Sequence, residues 1–454
     1  MAKSTLWTFT GYGANQALRL GSNLILTRLL VPEIFGLGAL INTFIMGLNM
    51  FSDIGIGPSI IQNRRGEELL FLNTAWTIQV LRGVAIWLGA CIFAWPFAHF
   101  YSEQQLGWLI SVSGITGLIA GFNSTGIFTT TRRLMLKRLT LIEIGTHLLS
   151  IVVIIVWVLI SPTIWAFVAG SITSTSFKML ASHLFLSDFK HKFIWDKNSA
   201  RSLARFGRWI FISTVLGYFA LHIDRLVLGK FLSLKELGVY SIALMIANSV
   251  KHLFQNMSHR ILLPLYSKLK EIPDSELRRK VLKLRIRLLL IFMPILFILL
   301  ILGQDLITFL YDPRYQEAGW MLQTLSAGII ILIGTALGPI VLSFGDSYLH
   351  MKLIAVKVFF IFSSMLVGGH YFGTNGVIIG VACSSLFYYP IQSIVYLKYS
   401  VWFPFLDAIV IFLPILIVFV VMYFQLSNSF VENFNLVSSQ LINFLKDLDK
   451  NLYF

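Results

Sequence analysis

Charge is scarce in this chain. Only 13% of its 454 residues are charged, while 56% are hydrophobic; soluble domains carry about 25% charged residues. With a mean hydropathy of +0.78, this excludes a soluble globular protein of such length. Cysteine is scarcer still. Cys91 and Cys383 are the only two, both in apolar runs, and they read as small buried hydrophobes with no disulfide or metal role. The sequence also lacks a P-loop, a GxSxG, an HExxH and any Cys/His cluster, so neither an ATP-driven pump nor a familiar hydrolase is expected. No cofactor is implied. The N-terminus has no cleavage pattern and is too polar for a signal-peptide core, so it reads as a first spanning helix that stays.

What is present is a series of long apolar runs. Each has the length of about 20 residues that a helix needs to cross a bilayer. A β-barrel would show short alternating segments instead. The expected fold class is an all-α polytopic membrane protein, in which every backbone polar group inside the lipid is satisfied within its own helix. Thirteen spans are expected, near residues 7–30, 35–61, 72–100, 106–130, 139–160, 163–186, 208–231, 237–265, 287–310, 318–343, 348–370, 373–397 and 404–425. Net charge is +15. Nucleic acid is not the reading, because basic residues of membrane proteins gather in cytoplasmic loops. Placing the N-terminus in the cytoplasm puts Arg132, Arg133, Lys137, Arg138 and both long basic loops inside. Those two loops are expected as amphipathic helices on the inner leaflet, drawn to anionic membrane lipid.

Two stretches echo each other at an offset of 202 residues. "TRLLVPEIFGLGAL" starts at Thr27 and "GKFLSLKELGVYSI" at Gly229, so Arg28 matches Lys230 and Gly36 matches Gly238. Six spans precede the long basic loop and six follow it. Even-numbered halves start on the same side, so the repeats are parallel and related by an axis along the membrane normal. The expected division is a bundle of residues 1–187, a basic cytoplasmic linker of 188–207, a second bundle of 208–400, and an extra span with an amphipathic tail over 401–454.

Polar residues within spans are costly and mark functional candidates. In the first span Asn15, Arg19 and Asn23 recur every four residues, on one helical face. Asn42, Asn49 and Asp53 do so in the second, Tyr218, His222 and Arg225 in the seventh, and Asn248, Lys251, Gln255 and His259 in the eighth. Spans one and two are repeat partners of seven and eight, so one shared hydrophilic cavity is the simplest geometry. Hydrogen bonding between helices is the other role open to Asn and Gln. Secondary candidates are Arg82, Asp53, Asp224 and His259, with Asp53 equally placed for an interfacial ion pair. Lys357 is expected to snorkel to the headgroups. Bases outnumber carboxylates in the spans, and such a cavity suits an anionic cargo, with Arg forking onto phosphate oxygens.

"FSDIGIGPSIIQ" (Phe51 to Gln62) and "DRLVLGKFLSLKELGVYSIA" (Asp224 to Ala243) resemble signatures of the polysaccharide transporter family, the Wzx-like O-antigen and exopolysaccharide flippases of the MATE-like exporter superfamily. The resemblance extends over about residues 3–400. It implies a MATE-like fold of two six-helix bundles in a V around a cationic cavity. It implies a cargo of undecaprenyl-diphosphate-linked oligosaccharide, moved from the cytoplasmic to the periplasmic face of a bacterial inner membrane by alternating access. The pathway would be one of lipopolysaccharide, capsule or exopolysaccharide synthesis, with a polymerase and a chain-length regulator as associated proteins and no catalysis by the chain itself. The alternative within the superfamily is an ion-coupled drug or small-molecule antiporter, which for cationic drugs calls for more intramembrane carboxylates than bases.

Overall fold

The computed structural model describes residues 2–187, 189–258, 266, 274–336, 340–344 and 346–420. His259, Arg260 and the tail beyond residue 420 lie outside the described residues. Helices account for all regular structure among the described residues: α1 (Ala2–Leu29), α2 (Pro32–Phe51), α3 (Ile56–Gln62), α4 (Leu69–Tyr101), α5 (Gln105–Ser113), α6 (Ile115–Gly121), α7 (Gly126–Arg132), α8 (Leu136–Ile160), α9 (Trp165–Phe185), α10 (Lys197–Phe231), α11 (Leu234–Met257), α12 (Asp274–Leu310), α13 (Ala318–Thr335), α14 (Ile340–Ser343), α15 (Ser347–Lys398) and α16 (Pro404–Val420). Eight of the described helices are long and apolar enough to cross a membrane, or nine if the bent pair α5–α6 plus α7 is one span. The chain is a multi-pass membrane protein. Side chains such as Ile160, Phe309 and Phe405, each at least 80% exposed, are left for lipid.

Helix starts follow local chemistry. Pro32 opens α2, where its missing N–H costs nothing. Ser233 and Glu236 form a reciprocal capping box at the start of α11. Asp196 caps α10 by accepting from the Ser199 backbone N–H at 2.8 Å. The α1–α2 and α10–α11 turns share one end of the bundle, called the turn end below; the opposite, basic end carries the loops rich in Arg and Lys.

Several expected spans differ in detail. The second does not run to residue 61: α2 stops at Phe51, and Gly55 takes a left-handed φ of 65° before α3. The fourth is broken, with a 59° bend between α6 and α7. The break exposes carbonyls, and neighbours satisfy them. Gln79 Nε2 donates to Gly121 O at 3.0 Å and Asn123 O at 2.9 Å, and His183 Nε2 lies 2.8 Å from Phe122 O. The first basic loop does not form a separate helix on the leaflet: Lys197–Phe231 is one helix, because no proline interrupts the basic run before the span begins. In the second, the basic run after Pro273 belongs to the single helix Asp274–Leu310, and residues 259–265 and 267–273 lie outside the described residues. The eleventh and twelfth expected spans are the two arms of α15, folded back at Gly373 (φ 61°). Only glycine adopts that turn readily, and the arms touch where Gly368 meets the backbone of Gly376.

Helix α2 packs on both α10 and α11, α11 on α13, and α10 on α15. At the turn end α2 and α11 meet backbone to backbone. A side chain at Gly36 would strike the Leu234 carbonyl, and one at Gly238 would strike the Pro32 carbonyl. These pairs exchange under the 202-residue offset, so the contact is reciprocal about the axis relating the halves.

Candidate functional site

A cavity of about 490 Å³ lies between the halves, lined by α1, α2, α5, α6 and α9 on one side and α10 and α11 on the other. Arg19 and Asn23 reach it from α1, Asn42 from α2, Arg225 from α10, and Asn248 and His252 from α11. Ser113, Thr116, Ser171 and Thr175 form part of the wall, beside Phe35 and Phe167, whose rings meet edge to face at 5.6 Å. The hydroxyls of Thr116, Ser171 and Thr175 donate to nearby helix carbonyls, which leaves their oxygens as acceptors, and Ser113 Oγ is buried. Among the described residues, no Asp or Glu lines this cavity. Its field is therefore set by two guanidiniums, one from each half, and it favours an anion.

The turn end of the cavity is sealed by bonds between the halves. Lys230 Nζ donates to Phe100 O at 2.6 Å, and Tyr101 OH to Leu226 O at 2.8 Å. Tyr315 OH donates to Leu30 O at 3.0 Å. Arg314 donates to the carbonyls of Thr27 and Arg28 at 3.3 Å while Asp312 braces it at 2.8 Å. That bond holds the Asp312 carboxyl below its usual range. Lys230 and Arg28 sit at this end, as the sequence pattern implied. Asn23 also accepts from Tyr311 OH, at 3.4 Å.

The remaining candidates are not on the cavity wall. Tyr218 is 4% exposed; its ring lies on Gly47 and its hydroxyl donates to Thr43 O at 3.1 Å, which makes it a tie between α10 and α2. His222 is buried beside Tyr218 and accepts at Nδ1 from Arg225 at 2.8 Å, so its ring proton sits on Nε2. Asn49 Nδ2 donates to Ile45 O at 2.9 Å within its own helix. Arg82 donates to Asn49 O at 2.7 Å and Ser52 Oγ at 3.0 Å, closing the C-terminal turn of α2. Asp53 Oδ1 accepts from Gly55 N at 2.9 Å and shapes the turn into α3. Asn15 Oδ1 is buried without a partner, away from the cavity lining. Gln255 accepts from His252 Nδ1 at 3.3 Å, orienting that ring.

Lys251 is the clearest correction. It lines a separate, smaller chamber with Asp224 and Lys357. Positions 248 and 252 differ by about 40° around a helix, whereas 251 and 252 differ by about 100°. The stripe on α11 therefore splits, Asn248 and His252 turning to the cavity and Lys251 away. Lys357, expected to snorkel, points into the same chamber. Asp224 Oδ2 accepts from Tyr240 OH at 2.8 Å.

A family model described as "Polysaccharide biosynthesis protein" matches residues 25–319, more than half of the chain. The chain belongs to this family. Among curated relatives, the teichuronic acid biosynthesis protein TuaB of Bacillus subtilis is 24% identical over 295 residues, 64% of this chain and 61% of TuaB. The lipopolysaccharide biosynthesis protein WzxC of Escherichia coli is 22% identical over 398 residues, 84% of this chain and 80% of WzxC. Among solved structures, an inward-facing MATE family multidrug resistance transporter of the MOP superfamily aligns with a TM-score of 0.67 at 14% identity, covering 85% of this chain and 94% of that one. The lipid II flippase MurJ in an inward closed conformation aligns at 0.66 and 12% identity, covering 94% and 93%. These likenesses show a MATE-like fold.

In this family member, sequence reading missed His252 and the hydroxyl wall. His252 carried a signal, being four residues after Asn248. Ser113, Thr116, Ser171 and Thr175 carried none, because Ser and Thr are common in spanning helices and their hydroxyls often bond their own backbone.

Proposed function

We propose that the chain carries a polyprenyl-diphosphate-linked oligosaccharide from the cytoplasmic to the outer face of the bacterial inner membrane, for O-antigen, capsule or exopolysaccharide synthesis. One observation carries this reading: a cavity with no carboxylate among the described lining residues, into which each half presents a guanidinium, Arg19 and Arg225. A diphosphate offers bidentate acceptors to both forks. The hydroxyl oxygens of Thr116, Ser171 and Thr175, whose protons go to backbone carbonyls, offer acceptors to sugar hydroxyls, and the Phe35–Phe167 pair offers flat apolar surface to the rings. The family membership and the names of the relatives agree with it. An organic-cation antiporter would need acidic residues at the same wall.

In this reading the basic end is cytoplasmic, as is the N-terminus, and residues 1–187 and 208–400 act as two bodies that rock about the cavity. The contacts sealing the turn end part when the cavity opens outward. Polymerase and chain-length regulator are the proposed neighbours in the membrane.

The test is surface-glycan display in cells complemented with Arg19→Gln or Arg225→Gln. Each change removes a charge-assisted fork, a loss of about tenfold or more in cargo capture. Glycan at the surface should fall accordingly while the chain remains at normal abundance in the membrane. Normal display by both variants would refute the diphosphate assignment.

A further inference from the structure

Lys251 of α11 and Lys357 of α15 open into a chamber of about 80 Å³ inside the second half, walled also by α10 and α13. Among the described residues, Asn248 is the one that lines both this chamber and the central cavity. Among the described residues, neither ammonium has a hydrogen-bond or ion-pair partner. Among the described residues, Asp224 is the only carboxylate on the wall. Its Oδ2 is taken by Tyr240 and its Oδ1 has no partner. Ser385 adds a hydroxyl donor, and Leu325, Ile329, Leu332 and Ile361 complete an apolar surround.

Two cations and one carboxylate leave an uncompensated positive charge inside a helix bundle, a costly arrangement where the surround is apolar. We propose that the chamber binds a monovalent inorganic anion of about chloride size, held between Lys251 and Lys357 and balancing the charge that Asp224 leaves over. Size supports this class of ligand. A water occupies about 30 Å³ of liquid, so 80 Å³ holds a halide and a water or two. A diphosphate tethered to a lipid and a glycan needs openings on both sides, which the larger central cavity provides. The anion neutralises the second half independently of the cargo.

The experiment uses the purified full chain in nanodiscs of zwitterionic lipid. Chloride is titrated against gluconate at constant ionic strength while thermal unfolding is followed. A ligand that binds only the folded state raises the midpoint saturably. The expected result is such a rise with chloride and bromide, retained in Arg19→Gln and lost or shifted at least tenfold in half-saturation in Lys357→Met. No halide-specific rise in the unmodified chain would overturn the proposal, as would a rise unchanged in Lys357→Met. Displacement of the halide effect by methylene-diphosphonate would also overturn it, by assigning the chamber to the cargo headgroup. If Lys357→Met does not fold, bromide anomalous scattering from crystals of the unmodified chain decides. A peak between Lys251 and Lys357 supports the site, and a peak confined to Arg19 and Arg225 removes it.

Discussion

Arg285 is 4% exposed and Asp407 is fully buried, and the two form an ion pair. Arg285 also donates to Gly334 O, at 3.0 Å from Nε, beside the C-terminal turn of α13. Tyr389 OH donates to the other Asp407 oxygen at 2.9 Å, and Trp402 Nε1 donates to Tyr389 at 3.0 Å. This network fastens α16 to the second half. Removing one partner of a buried pair strands the other charge, at a cost of about 3–5 kcal/mol, whereas replacing both by apolar groups is often neutral. Asp407→Ala should therefore lower unfolding stability in detergent by about that amount, and Arg285→Met with Asp407→Leu should restore most of it. A single variant as stable as the unmodified chain would show that the pair does not hold α16.

At the scale of elements, the segment between α9 and α10 is strapped to the broken span. Thr125 N donates to His191 Nε2 at 3.2 Å, and Thr125 Oγ1 lies 3.0 Å from the same atom. Trp76, Phe189 and His183 pack around the ring. Burial, with His183 alongside, pushes the His191 imidazole down to about 4, below its ordinary 6.5. A group neutral in the fold adds stability that is complete above about 6.5 and is lost as pH falls through 4. Proteolysis of residues 189–196 should thus be slow at neutral pH and rise between pH 6 and pH 4, and His191→Phe should flatten that dependence. A rise centred above pH 6.5 would contradict the burial. The strap was not legible in the sequence. Most spans were, through their apolar length, and so were both turns, through the echo of Arg28 and Gly36 in Lys230 and Gly238. The break at Phe122–Thr125 was hidden because the groups that satisfy it, Gln79 and His183, are distant in sequence. The rotation of α11 was hidden for the same reason: periodicity groups Lys251 with Asn248, and only Asp224 and Lys357 show which neighbour it faces.

At the scale of the molecule, closure of the turn end depends on contacts across the axis between the halves. Gly238→Val places two methyl groups against the Pro32 carbonyl, and the helix starts must separate. Impermeant maleimide applied from the outer side should then label Asn42→Cys faster, in a background lacking Cys91 and Cys383, while surface glycan falls several-fold. Labelling at the rate of the glycine parent would show that this contact does not keep the end shut.

Neither Gly36 nor Gly238 lines the cavity, and neither offers a side chain for a sugar to meet. Under the proposed function, tempo and taste therefore sit on different residues. In that proposal the ease with which the halves part drifts through two backbone contacts, while the choice of glycan drifts through the wall residues of α6 and α9. A lineage that acquires a new surface sugar need only repaint one wall and can inherit its hinge unchanged.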